Sequence, residues 1–322
     1  MTEVIEKPAE AVAPGPKPKR IKREVDGWLV LDKPTGMTST HAVAVVKRAF
    51  AAKKAGHAGT LDPLASGVLP IALGEATKTV PFVMDGRKTY RFTVRWGVET
   101  DTDDAEGKPI ATSDARPDAD AIRAALPAFV GTVMQLPPRY SALKIAGQRA
   151  YDLAREGEEV VLEPREVRID RLELIATPDV DHAEFAAECG KGTYVRAVAR
   201  DLGRALGTHA HVVALRRTAV GTFTEADAAR IDQLPAPDQA PLAPDASLLL
   251  PVAAGLTNVP SFAVNRSDAA RLAHGQPVLL RGRDAPVLTG TVAVTTEGRL
   301  VALVDAAEGE LCPRRIFKTA RG

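Results

Sequence analysis

A mixed α/β (α+β) protein in two units is the fold class that this 322-residue sequence predicts. Three observations point there. Strand-like alternation and helix-like periodicity interleave between Trp28 and Leu206. A Pro-rich stretch at 235–248, with Pro235, Pro237, Pro241 and Pro244, has the composition of a linker. Beyond it, residues 249–319 carry short strand patterns separated by Gly and Pro turns, the signature of a small β domain.

The elements follow in order. Residues 1–24 are polar and Pro-rich, and the stretch 17–23 holds five basic residues and no acidic one. A disordered tail is expected, either solvated or free to touch phosphates. Trp28 to Leu31 reads as a short buried strand. Ser39 or Thr40 is placed to cap the next helix, whose apolar face is Ala42, Val45, Val46 and Ala49. Val68 to Leu73 is a second buried segment, ended by Gly74, and a helix runs from Glu75 to about Met84. Residues 88–98 alternate cleanly, with Tyr90, Phe92, Val94 and Trp96 on one face and Arg91, Thr93 and Arg95 on the other. The acidic loop from Asp101 to Gly107 lacks the ligand spacing of a calcium site. A helix is expected over 118–130, with Ile122, Leu126, Phe129 and Val130 apolar. Between Pro137 and Arg168 six basic and six acidic residues mark an exposed, mixed-charge arm, helical from Arg149 to Arg155. Val167 to Ile175 and Ala183 to Cys189 alternate as a hairpin, and Val195 to Leu206 is helical. From Glu188 to Arg217 six basic residues face two acidic ones, the strongest positive patch in the ordered chain.

Charge and cysteine content bound the function. Lys plus Arg total 42 and Asp plus Glu 41, a net charge of +1, so nucleic-acid binding would rest on local patches. Cys189 and Cys312 are far apart and form neither a disulfide framework nor a zinc site. Without an apolar run of membrane length or a leader-like N-terminus, a soluble cytoplasmic chain is expected.

The stretch Gly56-His57-Ala58-Gly59-Thr60-Leu61-Asp62-Pro63-Leu64-Ala65-Ser66-Gly67 surrounds one carboxylate with three glycines. Pro63 holds Asp62 extended, and Gly permits close approach of a ligand to backbone. The same composition also describes an ordinary Asp-Pro turn.

Taken together, the motifs carry a resemblance. Leu31-Asp32-Lys33-Pro34 with Gly36 and Thr38-Ser39, then Gly56-His57 and Leu61 to Ala65 with Gly67, then Leu73-Gly74-Glu75-Ala76-Thr77-Lys78, closely resemble the bacterial tRNA pseudouridine synthase B (TruB) family. Tyr140 to Lys144 with Gly147 and Tyr151, Gly192 to Arg196, and Leu215-Arg216-Arg217 match the same family in order, over about residues 26–319. Ala58 stands where Thr or Val is frequent, a small departure.

The resemblance implies an isomerase that converts one T-loop uridine of tRNA, conventionally position 55, to pseudouridine without metal or cofactor. It implies a catalytic unit at 25–248 around a mixed, largely antiparallel sheet, an RNA-binding arm inserted at 137–165, and a PUA-like RNA-binding domain at 249–322. The partner is the T-arm of tRNA; a monomer with no obligate protein partner is expected. Asp62 is then the reacting carboxylate, at the sugar C1′, at uracil C6 or as the base that forms a glycal. The first route is akin to a retaining glycosidase, but no second carboxylate sits in a comparable motif. Arg196 is its cationic partner, as a carboxylate beside a base requires. Tyr90 stacks on the flipped uracil, Tyr194 and Leu215 line the pocket, and His57 holds or displaces T-loop nucleotides. Lys33, Lys78, Lys144, Arg216 and Arg217 are candidate phosphate contacts. Two competing readings are a guide-RNA-dependent rRNA pseudouridine synthase and a tRNA-folding chaperone.

Overall fold

In the computed structural model of the chain, residues 22–141, 144–145, 148–149, 162–234, 246–280 and 286–318 are described. The tail at 1–21, most of the arm helix expected at Arg149–Arg155 and the linker at 235–245 lie outside the described residues.

The larger sheet has ten strands. Strand β1 (Gly27–Lys33) pairs antiparallel with β3 (Ser66–Leu73), to which the short β2 (Ala55–His57) adds. On the other side of β3 follow β12 (Ala210–Val220), β4 (Lys88–Trp96), β11 (His182–Cys189), β10 (Arg165–Ala176) and the edge strand β7 (Gly131–Gln135). The short β14 (Ala229–Arg230) extends β1, and β13 (Phe223–Thr224) pairs with β12. All contacts are antiparallel except β1 with β14 and β3 with β12. The β3–β12 contact is brief, pairing only Ser66 with Arg216 and Gly67 with Arg217. It is also where the Asp62 loop enters β3.

Both faces of β1 and β3 are covered, which explains their continuous apolar runs. Leu29 and Leu31 join the main core with Val46, Leu69 and Ile71 on one face; Trp28 and Val30 join Val68, Ala72 and Phe223 on the other. Helix α1 (Ser39–Ala49) buries Ala42, Val46 and Ala49, as its periodicity requires. Its cap is Thr38, whose hydroxyl accepts from the His41 N–H at 3.1 Å. Ser39, expected as a cap, is instead buried against the Asp62 loop. The helix expected from Glu75 is a 3-10 turn (Gly74–Lys78) followed by α2 (Val80–Asp85), with Pro81 in the first turn of α2. Likewise α3 (Ala119–Ala125) gives way to a 3-10 turn at Leu126–Phe129, where Pro127 removes a donor. Between these elements β5 (Val98–Thr100) and β6 (Pro109–Thr112) form a small ribbon that frames the acidic loop. In the arm, β8 (Lys144–Ile145) pairs with β9 (Gln148–Arg149), so Arg149 is extended where a helix was expected. Helix α4 (Val195–Ala205) packs on the main core through Val195, Val198, Ala199 and Leu202.

A second, five-stranded sheet orders β15 (Ser261–Ala263), β17 (Gly290–Thr296), β18 (Arg299–Ala307), β19 (Glu310–Ile316) and β16 (Val278–Leu279), with α5 (Arg266–Ala273) packed on it through Ala269 and Leu272. The chain leading into it is stitched to the first unit: Trp28 and Leu250 exchange both backbone hydrogen bonds at 2.8 Å. At the seam the buried Glu75 carboxylate accepts from Lys78 Nζ at 2.6 Å and from the Lys318 N–H at 2.8 Å, while Lys78 Nζ also donates to Ile316 O at 2.6 Å. Beside it Phe82, Leu256 and Phe317 form a small apolar cluster.

Glu75 is therefore the common acceptor of the seam. Glu75→Ala strands two donors and should weaken docking of the second unit by about 1–3 kcal/mol. The expected calorimetric result is a separate, earlier transition for the C-terminal unit; one unchanged transition would count against this role.

Candidate active site

The Asp62 loop is tied down on all sides. The buried Ser39 hydroxyl donates to Leu61 O and accepts from Leu61 N–H, both at 2.8 Å. Gly36 N–H donates to Pro63 O at 2.8 Å, and Ala65 N–H closes a turn on Asp62 O at 3.1 Å. Lys33 lies wholly buried beneath, with Nζ donating to Met37 O at 2.6 Å, Pro34 O at 3.0 Å and Pro63 O at 3.4 Å. Burial pulls its amine down to about 8, against the opposing attraction of Asp62. Gly67, at φ +98°, closes the loop: a Cβ there would stand 2.2 Å from Arg217 O, so only glycine permits this approach of β3 to β12.

Arg196, in the first turn of α4, meets this loop. Its Nε stands 2.9 Å from Asp62 Oδ2. The contact is an ion pair and not an aligned hydrogen bond, since the Nε–H is buried without a hydrogen-bond acceptor. The rest of the guanidinium is fully engaged: Nη1 donates to Thr102 O at 2.7 Å, Nη2 donates to Tyr140 O at 2.9 Å, and Asp104 Oδ2 lies 3.5 Å from Nη1. Arg196 and Asp104 are each 4% exposed, whereas the Asp62 carboxylate is 35% exposed. Of the two carboxylates on this cation, only Asp62 is open to a substrate.

The opening is a cavity of about 240 Å³ lined by Asp62, Tyr90, Tyr194, Arg196, Leu215 and Lys88, among others. That is below the size of a drug-sized ligand pocket and suits a single base. Tyr90 comes from the centre of β4 and sits opposite Arg217 in the β4–β12 register. Burial pushes the Tyr90 hydroxyl up, and the charge of Arg217 beside it pulls it back. Burial likewise raises Tyr194, and brings Lys88 down to about 8. Lys33, Lys88, Arg196 and Arg217 surround the site against Asp62 and Asp104, a positive well suited to a polyanion. A larger cleft of about 330 Å³ around Arg91, Thr93 and Glu184 contains no Asp62, so chemistry and not volume selects the site.

The structure thus brings together Asp62, Tyr90, Tyr194, Arg196 and Leu215 from four segments. His57 is on β2, paired with Ile71, and does not line the cavity. Four of the lysine and arginine residues expected on phosphates are placed otherwise. Lys33 is buried under the loop, Lys78 is committed to the seam, and Arg217 is 1% exposed. Arg216 pairs with Asp32 at 3.0 Å and with Glu225 at 2.5 Å. The side chain of Lys144 lies outside the described residues. Arg196, Arg200 and Arg217 are buried, so half of the basic run from Glu188 to Arg217 is an internal network, while Lys191, Arg204 and Arg216 stay at the surface in ion pairs; a buried guanidinium is kept only where acceptors surround it. Sequence reasoning missed Asp104 and the backbone acceptors Thr102 O and Tyr140 O. The acidic loop was their only signal, and it had been read only against calcium geometry.

Comparison with known proteins places this geometry in a family. Residues 47–195 match the TruB family pseudouridylate synthase N-terminal domain, and residues 196–256 match the tRNA pseudouridylate synthase B C-terminal domain. The chain is 63% identical to tRNA pseudouridine synthase B of Bradyrhizobium diazoefficiens, over 94% of this chain and 89% of that protein. It is 50% identical to the protein of the same name from Brucella ovis, over 93% and 98%. Among solved structures, a Cbf5–Nop10–Gar1 complex superposes with a TM-score of 0.69 at 26% identity, covering 90% of this chain and 84% of that one. A box H/ACA ribonucleoprotein bound to a 2′-deoxyuridine-containing substrate RNA has a similar fold, with a TM-score of 0.68 at 24% identity over 90% of this chain and 84% of that one.

Behind Arg196, one turn along α4, Arg200 pairs with Asp103 at 2.9 Å. Burial pushes the Asp103 carboxyl up to about 6, against the pull of Arg200. Folded Asp103 then keeps its proton where the unfolded chain has lost it. Its contribution to stability falls as pH rises from about 4 to about 6. Urea unfolding of Asp103→Asn beside the unsubstituted chain should show the variant gaining relative stability between those pH values; a constant difference would refute the assignment.

Proposed function

The chain belongs to the TruB family of pseudouridylate synthases and is a tRNA pseudouridine synthase, an isomerase; we propose that it works on the T-loop uridine, position 55, flipped into the Asp62 cavity. The observation that carries this reading is a half-exposed carboxylate held by a buried arginine at the mouth of a base-sized cavity.

The reaction breaks the C1′–N1 bond, turns the uracil and joins C1′ to C5; the C5 proton leaves and N1 takes up another. Nothing is added and no group is lost. Asp62 is the carboxylate that meets the reacting nucleotide, and its charge is matched by Arg196 as the base excludes water. Asp104, on the far side of Arg196, fixes the guanidinium so that it cannot follow the substrate. Tyr90 lies where a flipped base would stack. Such stacking contributes about 1–3 kcal/mol, comparable with the few kcal/mol that unstacking the nucleotide costs. Tyr194 and Leu215 close the pocket walls.

The catalytic unit at 25–248, the arm at 137–165 that closes over the T-arm, and the C-terminal unit as a PUA-like RNA-binding domain belong to the same proposal. So do the cytoplasmic location and a monomer without an obligate partner. A guide-RNA-dependent synthase is the weaker reading: the solved complexes of that kind are 24–26% identical to this chain, while the tRNA pseudouridine synthase B relatives reach 63%. A chaperone activity is compatible with catalysis and separable from it.

The test is a T-arm stem-loop carrying C5-tritiated uridine. The expected result is tritium release by the unsubstituted chain and none by Asp62→Asn, with RNA still bound; bound RNA without release from the unsubstituted chain would sink the enzymatic reading. Tyr90→Phe keeps the ring and should leave T-arm affinity within about threefold, since stacking survives; a large loss of binding would remove Tyr90 from the base-stacking position.

A further inference from the structure

Arg217 is a buried cation that the chemistry above does not use. It is 1% exposed, and among the described residues no carboxylate forms an ion pair with it. Its side-chain hydrogen bonds go to the Asp62 loop and the strand it enters. Nε donates to Val68 O at 2.8 Å, Nη2 to Gly59 O at 3.1 Å and Nη1 to Thr60 O at 3.3 Å. It also faces Tyr90 across the β4–β12 register, lines the same cavity, and its charge acts on the Tyr90 hydroxyl. Its backbone pairs with Gly67, whose missing Cβ allows the contact. One residue therefore holds the Asp62 loop before the carboxylate, at Gly59 and Thr60, and after it, at Gly67 and Val68. The same residue faces the phenol on the opposite wall of the cavity.

A guanidinium is the side chain for this task. Its planar fork presents five N–H donors in fixed directions, enough for three carbonyls at once. An ammonium would carry the charge but not the directions. Desolvating such a group without a carboxylate is unfavourable, so the site keeps it only if the geometry it imposes matters. The charge has a second effect. Neutral carbonyl partners leave the positive field uncancelled, and Asp62 is the nearest acid it acts upon.

Resting on the proposed roles of Asp62 and Tyr90, we propose that Arg217 is a positioning residue of the isomerisation: it staples both ends of the Asp62 loop to Tyr90, setting the carboxylate and the stacking ring at a fixed separation across the flipped base. Arg217 touches no part of the substrate; it acts through the two residues that do.

The experiment compares Arg217→Lys with the unsubstituted chain in single-turnover tritium release and in T-arm binding, alone and combined with Tyr90→Phe. Release by the unsubstituted chain tests the functional reading separately. For Arg217→Lys the rate should fall about 10²-fold, the effect of a misplacement near 1 Å. T-arm affinity should stay within about threefold, because the loss falls on the chemical step. In the Tyr90→Phe background the same substitution should cost about tenfold or less, since residues acting as a unit are not additive. A native rate for Arg217→Lys, or an equal loss in both backgrounds, overturns the proposal. If Arg217→Lys does not fold, the Arg217 Nε–H resonance of the full chain decides. Tyr90→Phe should shift it and speed its exchange with solvent, and an unchanged resonance overturns the link.

Discussion

A single guanidinium, that of Arg196, joins four parts of the chain that have nothing else in common. Asp62 comes from the β2–β3 loop, Thr102 and Asp104 from the acidic loop, Tyr140 from the base of the arm, and Arg196 from α4. A charge 4% exposed is tolerated only when its donors find oxygens, so each of those segments is held where the arginine needs it. The pattern continues along the helix at four-residue intervals. Arg200 takes Asp103 and Leu136 O, and Arg204 takes Glu99. One face of α4 thus rivets the acidic loop and the root of the arm to the catalytic unit. Of the two carboxylates on Arg196, Asp62 is the one that faces solvent.

Around it, the sheet supplies rigidity. The two halves meet only through Ser66–Gly67 and Arg216–Arg217, and the Asp62 loop emerges at that junction. A loop at such a point would be mobile if left to itself. Instead Ser39 pins Leu61, Lys33 and Gly36 pin Pro63, and Arg217 pins Gly59 and Thr60. Three sequence motifs with the composition of loop and phosphate signals are internal braces for one short segment. Bond exchange at a sugar gains from such preorganisation, because position and charge are what these residues supply.

Much of the fold was legible. The alternation from Lys88 to Trp96 put Tyr90, Phe92, Val94 and Trp96 on one face, and the structure buries Phe92, Val94 and Trp96 there with Tyr90 at the cavity end. The hairpin of β10 and β11 and the helix from Val195 were equally visible, since local periodicity carried both. Strand β12 was not. Ala210 to Val220 mixes one histidine and two arginines into its apolar run, and its sequence reads as a basic stretch. It is a central strand because β3 and β4 take both of its edges, and those partners lie more than a hundred residues away. The seam role of Glu75 and Lys78 was hidden for the same reason: their partners are Ile316 and Lys318.

The order of motifs, the glycine-framed Asp62-Pro63 and the Arg196 at a helix start are properties of the chain as written, and they pointed to the family and to the Asp62–Arg196 pair that the structure brings together at 2.9 Å. Short-range signals suffice there, because spacing along the chain fixes which residues can appear together in a loop or on a helix face. Which cations remain free to meet RNA was decided only in three dimensions. Lys33, Lys78, Arg216 and Arg217 look alike in sequence, as basic residues in polar motifs, yet Lys78, Arg216 and Arg217 are claimed by acceptors from distant segments and Lys33 by Met37 O and, more weakly, by Pro63 O of the Asp62 loop. Whether a charge is spent inside or offered outside depends on what tertiary packing sets beside it, and no local pattern records that.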